Sequence, residues 1–323
     1  MEGQERDRLV AAVMARGPGV AVASALPLVG VLVGCTPASH DAKGAAPTSA
    51  SASSLPAPPT LASAATAGSS DVLDPPEPVS FKSGALTLGG FLWRPKGPGP
   101  FPAIVFNHGS EEDPGAKNGQ ALFFVPHGFV LFVPHRRGQG SSKAAGRYID
   151  EAPTSAAFVD ALVTQNEDVR AGIAYVAALP YVDAKRIAVS GCSLGGIESL
   201  FTAELGTGIV AAVDFAGAAI TWAKNTPLQE RMKTAAHNAK VPVFFLQAEN
   251  DYDTTPSTVL AGLMKAAGKP ARLHVFPPSG TTHEDGHGFC RGGRNPPWGD
   301  EVLAFLRDAM EPAVSPVSGG PAR

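Results

Sequence analysis

Gly191-Cys192-Ser193-Leu194-Gly195-Gly196 is the stretch on which the reading of this chain turns. It follows the β-branched run Arg186–Ser190 and precedes the apolar, helix-compatible run Leu194–Leu205. The pattern is G-x-S-x-G set between a strand and a helix. A serine at the tip of so sharp a turn has strained backbone angles, and the residues two positions to either side press together, so only small residues fit there. Ser193 is therefore the candidate nucleophile.

Working outward, short β-branched or aromatic runs recur, each bounded by Gly or Pro. They are Leu86–Trp93, Ala103–Phe106, Val130–Val133, Arg186–Ser190, Val210–Phe215, Val241–Leu246 and Arg272–Phe276. Several are apolar on both faces, as a sheet covered by helices on both sides requires. Between them lie helical patterns. Phe158, Leu162, Val169, Ile173 and Val176 make one apolar face, and Leu194–Leu205, Ser257–Ala267 and Asp300–Ala309 are further candidates. Strands alternating with helices predict a mostly parallel α/β sheet with helices on both faces. In such sheets the loops after the strands build the site.

Three more loops in those positions carry chemistry. Asn107-His108-Gly109-Ser110 follows Ala103–Phe106. Backbone N–H groups there can stabilise an oxyanion, with His108 shaping the loop. Gln247 to Pro256 follows Val241–Leu246 and contains Asp251, the candidate acid, with Asp253 and Glu249 as alternatives. Its task is to orient an imidazole and stabilise its charged form. Thr281 to Phe289 follows Arg272–Phe276 and offers two histidines, His283 and His287, as the base. His283-Glu284-Asp285-Gly286-His287 also spells H-E-x-x-H, a zinc pattern that needs a helix. Pro277, Pro278 and Gly280 before it, and Gly286 within it, argue against one. Metal binding is not expected. Cys192 reads as a small packing residue, and Cys290 is given no role. Arg136-Arg137-Gly138-Gln139-Gly140 either lines the site or salt-bridges, and Gly140 to Pro153 is a candidate short cap.

The order Ser193, Asp251, His287, each after a strand, resembles an α/β-hydrolase of the dienelactone-hydrolase-like branch. Asn107-His108-Gly109, the Gly191–Gly196 elbow, the Asp251 loop and His287-Gly288-Phe289 carry the resemblance, which covers residues 79–311. It favours His287 over His283, because that branch often has His-Gly-Phe there. It implies an eight-stranded, mostly parallel sheet with little or no lid, and no metal or organic cofactor. It also implies an oxyanion hole formed by Leu194 and by Ser110 or Gly109. One departure stands out: the namesake enzymes of the branch use cysteine as nucleophile, and this chain has Ser193. The expected activity is hydrolysis of a small-molecule ester, lactone or related acyl substrate. The rivals are a prolyl-oligopeptidase-type peptidase and a catalytically idle binding protein.

The N-terminal part reads as an address. Val20–Val33 is an apolar run too short to span a bilayer but suited to a signal peptide. It ends in Leu32-Val33-Gly34-Cys35, which resembles the bacterial lipobox and makes Cys35 the lipidation candidate, with residues 1–34 removed. Residues 1–13 are not basic, and Met14 is a better start. Thr36 to Pro78 has 31 Ala, Ser, Pro or Thr among 43 residues and no aromatic residue, so it reads as a tether that cannot bury enough surface to fold. The domain would then be 79–311, with a flexible tail at 312–323. An exported lipoprotein held at the membrane by its lipid is the expectation, at the outer membrane of a Gram-negative host because Thr36, not aspartate, follows the cysteine.

Composition agrees with a folded domain attached to an unfolded segment. Of 323 residues, 44% are hydrophobic. Lys plus Arg is 26 against 29 for Asp plus Glu, so the net charge of −3 gives no electrostatic case for nucleic acid. Three cysteines make no disulfide framework, and no nucleotide-binding glycine motif is present.

Overall fold

The computed structural model describes residues 73–311. The expected signal peptide, Cys35, nearly all of the expected tether and the expected tail at 312–323 lie outside the described residues. Eight strands form one sheet. They are β1 (Glu77–Ser83), β2 (Leu86–Trp93), β3 (Phe101–Asn107), β4 (Val130–Pro134), β5 (Val182–Cys192), β6 (Ala211–Phe215), β7 (Val243–Ala248) and β8 (Ala271–Phe276). Their order across the sheet is β1-β2-β4-β3-β5-β6-β7-β8. β1 and β2 run antiparallel to each other, and β2 to β4. Every pairing from β4 to β8 is parallel.

Among the described residues the α-helices are α1 (Asn118–Phe124), α2 (Ser155–Ala177), α3 (Leu194–Leu205), α4 (Thr226–Asn238), α5 (Thr255–Ala266), α6 (His283–His287) and α7 (Gly299–Met310). Strand periodicity sorts the core into two layers. Ala103 and Val105 join the cluster under α2, α3, α4 and α5, while Ile104 and Phe106 join the cluster under α1 and α7. All five residues of β4 and all five of β6 are buried, which explains their continuous apolar sequence. Among the described residues no helix is long and apolar enough to cross a membrane.

Besides α1, which the sequence reading did not single out, three elements depart from the sequence expectation. β1 starts at Glu77, two residues before the expected boundary of 79. Its Pro78, polar residues and edge position gave it little strand character, yet Phe81 is buried against Phe132 and Tyr175. α4 has a polar sequence but buries Leu228, Met232, Ala235 and Ala236 on one stripe, with Asn225 capping its start by accepting from the Leu228 N–H at 3.0 Å. α6 is the third: a capping box made by Thr282 and Asp285 supports one helical turn across His283–His287, where the glycine and prolines had argued for none.

Candidate functional site

The strand-to-helix turn between β5 and α3 holds Ser193 at φ 58°, ψ −119°, a strained conformation for a residue with a side chain. Its N–H donates to the Phe215 carbonyl at 2.8 Å, which ties the turn to the end of β6. The glycines are required by contact. A Cβ on Gly191 would lie 2.1 Å from the Gly195 carbonyl oxygen, and one on Gly195 would lie 1.9 Å from that of Asn107. The elbow therefore sits directly against the loop after β3. Leu194 opens α3, so its N–H has no partner within the helix.

The loop after β3 is held from beneath by Arg136, which is fully buried. Its Nη2 donates to the His108 carbonyl at 2.9 Å and the Gly109 carbonyl at 2.8 Å, and its Nε donates to Gln165 Oε1 at 3.1 Å. In a trans peptide the carbonyl and the following N–H point opposite ways. Fixing these two carbonyls on Arg136 turns the Gly109 and Ser110 N–H groups away from Arg136. A Cβ on Gly109 would come within 3.5 Å of the Cys192 carbonyl oxygen, so Gly109 packs against the elbow. Burial first, and then the Arg136 charge, holds the His108 imidazole well below its ordinary pKa and neutral, in keeping with a shaping role. The two arginines have different tasks: Arg137 pairs with buried Asp168 at 2.6 Å. The Gly140–Pro153 segment forms two short 3-10 turns, and its Tyr148 hydroxyl donates to the Ser110 carbonyl.

On the far side of the elbow, Asp251 and His287 meet. His287 Nδ1 lies 2.9 Å from Asp251 Oδ1, with the carboxylate side chain fully buried and the imidazole 15% exposed. With the carboxylate as acceptor, Nδ1–H is the donor and Nε2 is left as an acceptor. That Nε2 is buried and has no hydrogen-bond partner. The other oxygen of Asp251 accepts from Gln247 Nε2 at 3.0 Å, and the Tyr252 N–H adds 2.7 Å to Oδ1. Gln247 is itself locked: its Nε2 also reaches the Asp253 carbonyl at 2.7 Å, and its Oε1 accepts from the Ser257 hydroxyl at 2.8 Å.

The alternatives are engaged elsewhere. Asp253 Oδ1 accepts from the Thr255 N–H at 2.8 Å and so shapes the start of α5, and Glu249 is exposed. His283 uses its Nδ1 on the Asn250 carbonyl at 3.0 Å and stacks on Tyr252. The two imidazoles of the H-E-x-x-H turn thus commit Nδ1 to different acceptors, and Glu284 takes a hydrogen bond from the Tyr252 hydroxyl at 3.0 Å. Among the described residues no three His, Cys, Asp or Glu side chains converge as a metal site.

Two further features correct or extend the sequence reading. Cys192 is not a mere packing residue and Cys290 is not idle: they form a disulfide with Cα atoms 6.0 Å apart. The signal was an even pair beside the elbow and the His287 segment, hidden because Cys35 made the count odd. Asp214, at the end of β6, is buried under the elbow, and burial pushes its carboxyl up to about 7. Its Oδ1 accepts from the Gly217 N–H at 2.8 Å, and a Cβ on Gly196 would come within 2.2 Å of it. Polar residues ending the apolar runs of β6 and β7, Asp214 and Gln247, were the available signals for this layer.

Known proteins agree with this architecture. Protein usf of Aquifex pyrophilus is 24% identical over 227 residues, covering 66% of this chain and 91% of that one. The acylaminoacyl peptidase of Pyrococcus horikoshii superposes with a TM-score of 0.58 at 19% identity, over 74% of this chain. This chain spans only 42% of that peptidase. Est1E of Butyrivibrio proteoclasticus, solved with ferulic acid bound, superposes with a TM-score of 0.54 at 16% identity, over 72% of this chain and 99% of that one. The sequence model of one hydrolase family spans residues 88–303, from β2 into α7 and across every loop just described. On that match, the chain belongs to the dienelactone hydrolase family and has the α/β-hydrolase fold of a serine-hydrolase-type enzyme.

Proposed function

We propose that this protein hydrolyses a carboxylic ester, lactone or related acyl bond through Ser193, His287 and Asp251. The observation that carries the reading is the buried Asp251–His287 hydrogen bond of 2.9 Å on one side of an elbow that holds Ser193 at φ 58°. Ser193 Oγ attacks the carbonyl carbon while His287 Nε2 takes its proton. Asp251 stabilises the imidazolium that forms. The Leu194 N–H, together with that of Ser110 or Gly109, donates to the negatively charged oxygen that develops from the carbonyl. His287 returns the proton to the leaving group, and water then cleaves the acyl-enzyme by the same route reversed.

Hydrolysis of p-nitrophenyl acetate and butyrate tests the reading. Wild-type protein should turn them over, and Ser193→Ala should lose roughly 10⁴- to 10⁶-fold in kcat. Equal turnover by the two proteins would refute it. A second reading has support in the likeness to acylaminoacyl peptidase: the same triad could cleave a blocked peptide bond. Acyl-peptide p-nitroanilides in the same assay separate the two, since a peptidase should prefer them to the esters.

We further propose that the protein is an exported lipoprotein attached through Cys35. The Val20–Val33 run and the lipobox-like Leu32–Cys35 support export, and so does the Cys192–Cys290 disulfide, a bond that persists in oxidising compartments. Metabolic labelling with a palmitate analogue should mark the wild-type chain, and Cys35→Ser should abolish the signal. Labelling that survived the substitution would overturn the assignment.

A further inference from the structure

We infer that the Cys192–Cys290 disulfide is a positioning pair for catalysis: it clamps the nucleophile elbow to the base loop, so that the enzyme works at full rate only when the bond is formed. The inference rests on the proposed roles of Ser193 and His287. Cys192 immediately precedes Ser193, and Cys290 lies three residues after His287, within one turn. The bond joins positions 98 residues apart in sequence. It is also the direct tie between these two parts. Among the described residues no hydrogen bond or ion pair crosses from Gly191–Gly196 to the His283–Arg291 segment.

The other anchors of each part lead elsewhere. The elbow is held by the Phe215 carbonyl and by the loop after β3. The base loop is held by Gln120, whose side chain donates to the Cys290 carbonyl, and by Trp298 Nε1, which donates to the Phe289 carbonyl at 3.0 Å. Gln120 belongs to α1 and Trp298 precedes α7, so both fix the base loop to its own face of the sheet and not to Ser193. His287 itself is tied to Asp251 at the end of β7. Without the disulfide, the distance from Ser193 Oγ to His287 Nε2 is set only by packing carried through two separate sets of contacts. Proton transfer to an imidazole is sensitive to that distance, and a misplacement near 1 Å costs on the order of 100-fold. The binding of an acyl group depends much less on it.

Dithiothreitol opens the bond in a balanced exchange. Its thiolate attacks one sulfur and its second thiol then closes a ring, so the reagent leaves as a cyclic disulfide while Cys192 and Cys290 each gain an electron and a proton. The test is the second-order rate of fluorophosphonate labelling at Ser193, with kcat and KM for a p-nitrophenyl ester, on the full chain before and after reduction. Labelling and kcat should fall roughly 10- to 100-fold on reduction, with KM changed less than threefold, and should return on reoxidation. The Cys192→Ala, Cys290→Ala double variant should show the lowered kcat and no further response to dithiothreitol. Cys35→Ser should respond as wild type does.

Far-UV circular dichroism of each sample separates loss of fold from loss of geometry. A double variant that is folded and labels at the oxidised wild-type rate would overturn the inference. So would reduced wild type that stays folded and keeps its kcat. If the double variant does not fold, the reduced wild-type protein decides, read at a temperature where its spectrum is native. Absence of labelling in either redox state would instead refute the proposed role of Ser193.

Discussion

Replacing Gln247 by leucine removes the fully buried side chain that orients Asp251, at nearly constant volume. Three hydrogen bonds go: to Asp251 Oδ2 at 3.0 Å, to the Asp253 carbonyl at 2.7 Å and from the Ser257 hydroxyl at 2.8 Å. A bond to a charged group contributes about 1.5–3 kcal/mol and a neutral one about 0.5–1.5, so the variant should lose about 2.5–6 kcal/mol of stability. Only the first bond bears on rate. Asp251 keeps the Tyr252 N–H and His287, so the carboxylate stays in place but is less fixed. A loss of about 10- to 100-fold in kcat/KM follows, corresponding to about 1.4–2.8 kcal/mol of transition-state stabilisation. Urea denaturation followed by fluorescence gives the first quantity and ester hydrolysis the second. Ser257→Ala is the milder companion: it removes the bond to Gln247 Oε1 and should cost about 1 kcal/mol and less than tenfold in rate. A folded Gln247→Leu protein with kcat/KM within twofold of wild type would refute the claim that Gln247 positions the acid.

Three further outcomes follow from the geometry. Asp214→Asn should stabilise the protein at pH 8 by up to about 4 kcal/mol, because the folded carboxyl, raised by burial to about 7, costs stability as pH climbs from about 4 to 7. Inside that window, at pH 5, the folded acid is neutral while the unfolded one is already mostly ionised, so the advantage should be smaller than at pH 8 by about 2–3 kcal/mol, and below about pH 4 it should vanish; denaturation curves with an advantage that does not vary with pH would contradict the buried-acid account. Gly195→Ala places a Cβ 1.9 Å from the Asn107 carbonyl oxygen, which is backbone and cannot swing aside. It should push the oxyanion loop off the elbow and cost about 100- to 1000-fold in kcat, read from ester hydrolysis on folded protein. His287→Ala should lose at least about 10⁴-fold in kcat, whereas His283→Ala, whose ring touches the Asn250 carbonyl and Tyr252 but not Asp251, should stay within about threefold. The reverse pattern would make His283 the base.

Much of this architecture was legible because it was written in local pattern. The run Leu194–Leu205 after the elbow reads as a helix, and the structure places α3 there, ended by Gly206. The central strands announced themselves by continuous apolar runs, since burial on both faces leaves no room for alternation. β1 was not legible, because an edge strand is stabilised by its pairing with β2 and not by its own composition. α6 was missed for a related reason. Propensity over five residues is weak, and the Thr282–Asp285 capping box outweighed one internal glycine.

The site divides along the same line. Ser193, Asp251 and His287, the proposed triad, stand out in the sequence because each follows a strand, where this fold builds its chemistry. The disulfide between Cys192 and Cys290 could not, because a 98-residue separation says nothing about proximity until the sheet brings β5 and the base loop together. Arg136 and Gln247 were equally hidden. Their partners are backbone carbonyls and a carboxylate whose positions are set by tertiary packing, and an arginine beside another arginine looks like a surface charge until Arg136 is found buried under His108 and Gly109.

The most direct test of the central claim is to locate the covalent adduct. After treatment with a fluorophosphonate, intact mass and peptide mapping should show one added group, on Ser193, formed on wild-type protein and slowed at least about 10³-fold in His287→Ala. An adduct on any other residue, or equal labelling of the wild type and His287→Ala, would contradict the Ser193–His287–Asp251 mechanism.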